Sequence, residues 1–257
     1  MSDFVILSVQ NLSVTYGGLA AVSNASFEIS RDEITSIVGP NGAGKTTLFN
    51  LISGISPCDE GLILFEGREI QKLLAHEIAR MGLIRTFQGA KVIKRLSLIE
   101  NVMLARQSNP GDRLLNFPRF LTRKKFEAET RDLAMSYLST VGLTPLADEF
   151  AGVLSGGQRK LLDLARSLMA KPKLLMLDEP FAGVNPKLRD TLLEILVKMK
   201  SENKIPLVLV EHDLDTVKQI SNKVIVLAQG SVIAQGGPED IFNDQKVIDA
   251  YIGTRRH

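Results

Sequence analysis

The chain has 257 residues, of which 44% are hydrophobic and 23% charged, enough apolar material for one large α/β domain with a subdomain. Lys and Arg number 31 against 29 Asp and Glu, and a net charge of +2 supplies no field for gripping a nucleic acid. The single cysteine, Cys58, excludes an internal disulfide and a thiolate metal cluster, and points to a reducing compartment.

In chain order, Ile6–Tyr16 alternates loosely between apolar and polar residues and reads as a strand, ended by the Gly17-Gly18 turn. No basic stretch followed by a long apolar one precedes it, so no signal peptide is expected. Ala25–Ile29 reads as a second strand. Ile34–Val38 is a short β-branched run of the buried-strand type. Helical spacing follows over Thr47–Ile52, then a strand at Leu62–Phe65, a helix at Ala75–Met81 and an extended stretch at Leu83–Phe87.

From about residue 89 to 170 the strand patterns disappear, which predicts a helical subdomain within a single domain spanning 1–257. Ser97-Leu98-Ile99-Glu100 is a capping box, and Lys124–Val141 is a long amphipathic helix closed by Gly142. A helix over Gly156–Met169 then restores the alternation. Strands follow at Lys173–Leu177, Leu207–Val210 and Lys223–Leu227, with helices at Lys187–Lys200 and Leu214–Ile220. This order predicts a mainly parallel sheet covered by helices. The strongest apolar runs, such as Leu174–Leu177, fall far short of the roughly 20 residues that span a bilayer.

Two segments carry chemistry. Gly39-Pro40-Asn41-Gly42-Ala43-Gly44-Lys45-Thr46 matches the phosphate-loop pattern G-x-x-x-x-G-K-[ST] in full, after an apolar strand and ahead of a helix. The glycines let backbone N–H groups converge on phosphate oxygens, and the helix adds its positive end. Lys45 is placed for the β and γ phosphates, Thr46 for Mg²⁺, and Thr47 for a further hydroxyl contact. The second segment is Leu174–Leu177 followed by Asp178-Glu179, two acids delivered to the end of a buried strand. Asp178 suits Mg²⁺ and Glu179 suits polarising a water that attacks the terminal phosphate. Together these imply ATP and Mg²⁺ as ligands.

Leu154-Ser155-Gly156-Gly157-Gln158 resembles, without mismatch, the signature of the ABC transporter ATPases, on a helix that leads straight into the Asp178-Glu179 strand. Other residues stand in the family's order. Tyr16 resembles the aromatic that stacks on adenine. Gln88 resembles the Q-loop glutamine that touches Mg²⁺ and the attacking water. His212, in Glu211-His212-Asp213, resembles the switch histidine that reads the γ-phosphate. The family's acid in the loop after Glu179 is replaced by Asn185.

The resemblance covers residues 4 to about 252. It implies a P-loop NTPase core, an N-terminal antiparallel β subdomain and a helical subdomain. It also implies a head-to-tail dimer of ATPase subunits, identical or different. In that dimer Ser155, Gly156, Gly157 and Gln158 act on the partner's ATP. The implied partners are membrane-spanning permease subunits, docked at a face including Arg95 and Leu96–Asn101, and indirectly an external solute-binding protein. The implied location is peripheral, on the cytoplasmic side of the membrane.

Gly82–Gln88, Glu100-Asn101-Val102, Glu179–Pro186 and Ala250–Gly253 are similar to the branched-chain amino acid importer branch. Urea or amide importers and the ATPase of lipopolysaccharide export share parts of this pattern. Asn185 and the long middle insertion favour import. Soluble members that act in repair or translation fit less well, because Gln88–Ser155 lacks sustained heptads and only one cassette is present.

Overall fold

The computed structural model describes residues 4–86, 92–106 and 120–253, with the backbone alone at 120–123 and 252–253. The described residues cluster into two compact units. One draws on the chain up to Arg85, on Lys173–Pro180 and on the chain from Leu196; the other comprises Thr86–Pro172 and Phe181–Ile195.

The first unit opens with β1 (Val5–Tyr16) and β2 (Leu19–Ser30), a hairpin turning at Gly17-Gly18, both at positive φ. After β3 (Ile34–Val38) and α1 (Lys45–Ile52) come β4 (Glu60–Phe65) and the short β5 (Arg68–Glu69). The four outer strands form an antiparallel sheet in the order β2-β1-β4-β5. This sheet and α1 share one apolar core, in which Phe49 and Phe65 are fully buried. The strand pattern at Leu62–Phe65 gave no sign of β5, whose two exposed charged residues carry no periodicity.

Next in this unit are α2 (Ala75–Met81) and β6 (Leu83–Arg85), and later β7 (Leu174–Asp178), β8 (Leu207–Val210), β9 (Lys223–Ala228) and β10 (Ser231–Gly236). With β3 they form a six-stranded sheet in the order β10-β9-β3-β8-β7-β6, parallel except for β10. Every residue of β3, β7 and β8 is buried, as expected of parallel strands covered on both faces. The C-terminal edge of such a sheet is where loops collect ligands. Here that edge carries the Gly39–Thr46 loop after β3, Glu179 after β7 and His212 after β8.

In the second unit, α3 (Leu98–Met103) starts at Ser97, whose hydroxyl accepts from the Glu100 N–H while the Glu100 carboxylate accepts from Ser97 N–H. The long helix α4 (Phe120–Thr140) buries Thr130, Ala134 and Leu138, one residue per turn on one face. Helix α5 (Gly156–Met169) packs against both. This unit also takes in Phe181–Ile195, for which the sequence pattern offers no reason. Helices α6 (Pro186–Ser201), α7 (Leu214–Ile220), α8 (Pro238–Asn243) and α9 (Gln245–Gly253) complete the chain order. Among the described residues, no helix is long and apolar enough to cross a membrane.

Candidate functional site

The Gly39–Thr46 loop is shaped by what surrounds it. Gly44, at φ 98°, is the residue before the first turn of α1, and a Cβ there would lie 2.3 Å from the Ala21 carbonyl oxygen. A Cβ on Gly39 would lie 2.0 Å from the Leu227 carbonyl oxygen. Both glycines are therefore demanded by the chain's own packing. No side chain caps α1, so its first N–H groups are left for a ligand, with the helix dipole behind them.

Lys45 is 5% exposed and folds back over the loop, donating to the Gly39 and Pro40 carbonyls at 2.8 and 2.9 Å. Burial pulls its pKa down from the ordinary lysine value, and the charges of Glu179 and Asp178 oppose that shift. The loop borders a cleft of about 670 Å³ that also receives Glu179, His212 and Leu19–Ala21. Asn41–Thr47 form one wall, so the loop residues expected to bind ATP all line the cleft except Gly39, which lies behind it against Leu227.

Glu179 follows β7 in the left-handed region, at φ 49°, with its N–H bonded to the Val210 carbonyl at 3.0 Å. Holding a non-glycine residue there costs about 1–3 kcal/mol and occurs where a side chain must be aimed. Glu179 Oε1 lies 2.7 Å from His212 Nε2. Two residues 33 positions apart thus meet at the mouth of the phosphate loop.

Asp178 sits differently. It is 5% exposed, and its Oδ2 accepts from Arg85 Nη2 at 2.8 Å. Arg85 had no assigned role in the sequence. Its one signal was a full charge ending a short apolar strand. Tyr16 is exposed at the end of β1, paired with Leu19, which does line the cleft. Gln88 lies outside the described residues.

Tyr251 of α9 packs against the small apolar cluster around Val38, Val226 and Ile241. Burial pushes its phenol up to about 12. The C-terminal segment thereby packs against the strand that leads into the phosphate loop.

The signature residues belong to the second unit. Ser155 caps α5: its hydroxyl accepts from the Gln158 N–H at 3.3 Å, and Gln158 Oε1 accepts from the Ser155 N–H at 2.9 Å. Gly156 and Gly157 open the first turn of α5, where N–H groups have no partner within the helix. A Cβ on Gly156 would meet nothing within 4 Å, whereas one on Gly157 would lie 2.1 Å from Leu188 Cδ2. Lys160 ties this helix to the loop after Glu179 by donating to the Ala182 carbonyl. Asn185 accepts from the Leu188 N–H at 3.0 Å and caps α6. That role needs only a short side-chain oxygen, which explains how an amide serves where an acid is usual.

One expectation is corrected. Leu98, Ile99 and Asn101 cannot form part of a docking surface, because all three are buried. Asn101 instead holds the preceding loop through the carbonyls of Ile93, Leu96 and Ser97. The outward-facing residues there are Ile93, Lys94, Arg95 and Glu100. Backbone bonds join Lys94–Leu98 to Glu149–Gly152, so exposed Ile93 stands near exposed Phe150 and Val153.

Such a cleft, with a phosphate loop, an acid after the strand two places along the sheet and a histidine bonded to it, defines a nucleotide-hydrolysing P-loop protein. The ABC transporter family model matches residues 22–182, and a second model, for branched-chain amino acid ATP-binding cassette transporters, matches residues 231–257. The chain belongs to the ABC transporter family and is one of its ATPases. It is 40% identical to the high-affinity branched-chain amino acid transport ATP-binding protein BraF of Pseudomonas aeruginosa, covering 96% of this chain and 98% of that protein. It is 38% identical to LivG of Escherichia coli, named for the same transport, over 96% and 98% of the two chains. An ABC transporter cassette solved in its ADP conformation superposes with a TM-score of 0.82 at 32% identity, over 97% of this chain and 99% of that one.

Proposed function

We propose that this chain is the ATP-hydrolysing subunit of an importer for branched-chain amino acids, working as one half of a closing dimer. The observation that carries the ATPase part is the convergence of Lys45, Thr46, Glu179 and His212 on one cleft. The substrate class rests on the relatives named for branched-chain amino acid transport and on the matching C-terminal segment.

The residues fit a magnesium nucleotide. Among the described residues no cluster of three or more His, Cys, Asp or Glu could hold a metal alone. That suits Mg²⁺, which takes one or two protein donors and completes its shell with phosphate and water. Thr46 and Asp178 would hold it, with Gln88 as a further donor, and the ion would offset charge on the phosphates. The N–H groups at the start of α1 and Lys45, once swung from the Gly39 and Pro40 carbonyls, bind the β and γ phosphates. Tyr16 stacks on the base. Glu179 orients the attacking water and takes its proton, and His212 holds that carboxylate while contacting the γ-phosphate.

Within the dimer, Ser155 and the N–H groups of Gly156 and Gly157 complete the γ-phosphate cage of the partner's ATP. Hydrolysis removes that shared ligand and lets the dimer open. The exposed Ile93, Phe150 and Val153, with Arg95 beside them, form the docking surface for the membrane subunits.

The test is Glu179→Gln. ATP affinity should stay within about twofold while turnover falls at least ~100-fold, the usual contribution of a general base. Sedimentation should then show an ATP-dependent dimer. Unimpaired turnover would refute the role given to Glu179. Leucine, isoleucine and valine uptake in cells with and without the chain tests the substrate class.

A further inference from the structure

Arg85 ends β6 in register with Met176 of β7, so it faces the same side of the sheet as Asp178 two residues on. Its side chain is 5% exposed. Nη2 donates to Asp178 Oδ2 at 2.8 Å, and Nη1 donates to Asn50 Oδ1 at 2.7 Å and to Ser53 Oγ at 3.1 Å. The guanidinium carbon stands 5.3 Å from the centroid of the Phe49 ring. Phe49 and Asn50 belong to α1 and Ser53 follows its last residue, so the guanidinium joins the far end of the phosphate-loop helix to the acid at the end of β7.

A buried ion pair is a poor device for stability alone, because desolvating both charges largely offsets their attraction. What this pair does supply is orientation. The planar fork holds three acceptors at fixed angles, which an ammonium group cannot reproduce. It engages one carboxylate oxygen of Asp178 and leaves Oδ1 for a cation's shell. The same fork anchors α1, whose opposite end receives the phosphates. Groups that orient a metal ligand from behind commonly change metal affinity by ten- to a hundredfold when lost.

We infer that Arg85 is a positioning residue that fixes Asp178 against the phosphate-loop helix and thereby sets the Mg²⁺ requirement of ATP binding. This rests on the reading of Asp178 as a Mg²⁺-binding acid, given above.

The experiment titrates Mg²⁺ against binding of a fluorescent ATP analogue to the full chain, with a parallel measurement in EDTA. Wild type is compared with Arg85→Lys and Arg85→Gln. Both variants should raise the Mg²⁺ concentration for half-maximal enhancement about tenfold. Affinity in EDTA, which reports the loop and Lys45, should stay within about twofold of wild type. Asn50→Ala, which removes one anchor of the fork, should shift the Mg²⁺ requirement in the same direction by less. It keeps the test usable if the arginine variants fail to fold.

An unchanged Mg²⁺ requirement with a lowered melting temperature would overturn the inference and leave Arg85 a structural ion pair. A lowered requirement would overturn it too, making Arg85 a competitor of the cation. If wild type itself gains nothing from Mg²⁺, the underlying reading of Asp178 fails instead.

Discussion

The phosphate loop and the signature turn both use glycines at the start of a helix, yet the reasons for those glycines differ. In the phosphate loop, Gly39 and Gly44 are enforced from within, since any Cβ would press into the Leu227 or Ala21 carbonyl. In the signature turn, Gly156 faces open space and nothing in the chain forbids a side chain. The first region is finished by its own fold. The second leaves open space in front of Gly156, as the proposed contact with a partner's nucleotide requires.

Two substitutions test that contrast, and a third measures the rest of the fold. Gly39→Ala should have the largest effect. The collision is with backbone, which cannot swing aside, so the chain should lose about 1–3 kcal/mol of stability together with ATP binding. Chemical denaturation and nucleotide titration would measure both. A stable Gly39→Ala protein that binds ATP normally would remove the inner half of the comparison.

Gly156→Asp should leave the melting temperature and the affinity of the isolated subunit for ATP unchanged. It should still lower ATPase activity by ~100-fold, as expected when charge-stabilising donors at a reacting phosphate are spoiled. Equal loss of stability and activity would mean that the signature turn is only a helix start.

The smallest effect belongs to Glu66, away from both regions. Its carboxylate pairs with Lys173 and Arg31, which hold its pKa below the ordinary glutamate value, the Lys173 hydrogen bond most of all. A depressed acid stabilises the fold above its unfolded pKa and ceases to do so as pH falls through its folded pKa. Because both partners are well exposed, Glu66→Gln should cost less than about 1 kcal/mol at neutral pH. Against wild type, that difference should vanish in denaturation curves taken at acid pH.

Much of the site was legible because its parts are local. A glycine loop between an apolar strand and a helix needs only a dozen consecutive residues to identify it, and Asp178-Glu179 is readable from four apolar residues before it. The capping box at Ser97 likewise uses only residues three apart. Arg85 escaped because its partners lie 35, 32 and 93 positions away, at Asn50, Ser53 and Asp178. Burial of Ile99 and Asn101 escaped for a related reason. A short run of mixed residues has no periodicity to tell its inner face from its outer one.

The sequence by itself determined most of the strands and helices, the phosphate loop, the acidic pair and the signature turn, because each is written in the spacing of neighbouring residues. Only the tertiary structure decided that Glu179 meets His212, that Asp178 is held by Arg85, and that Tyr251 packs behind the loop. Those contacts depend on strand order in the sheet, since parallel neighbours are joined by long crossovers and distant residues become adjacent only when the edge is assembled.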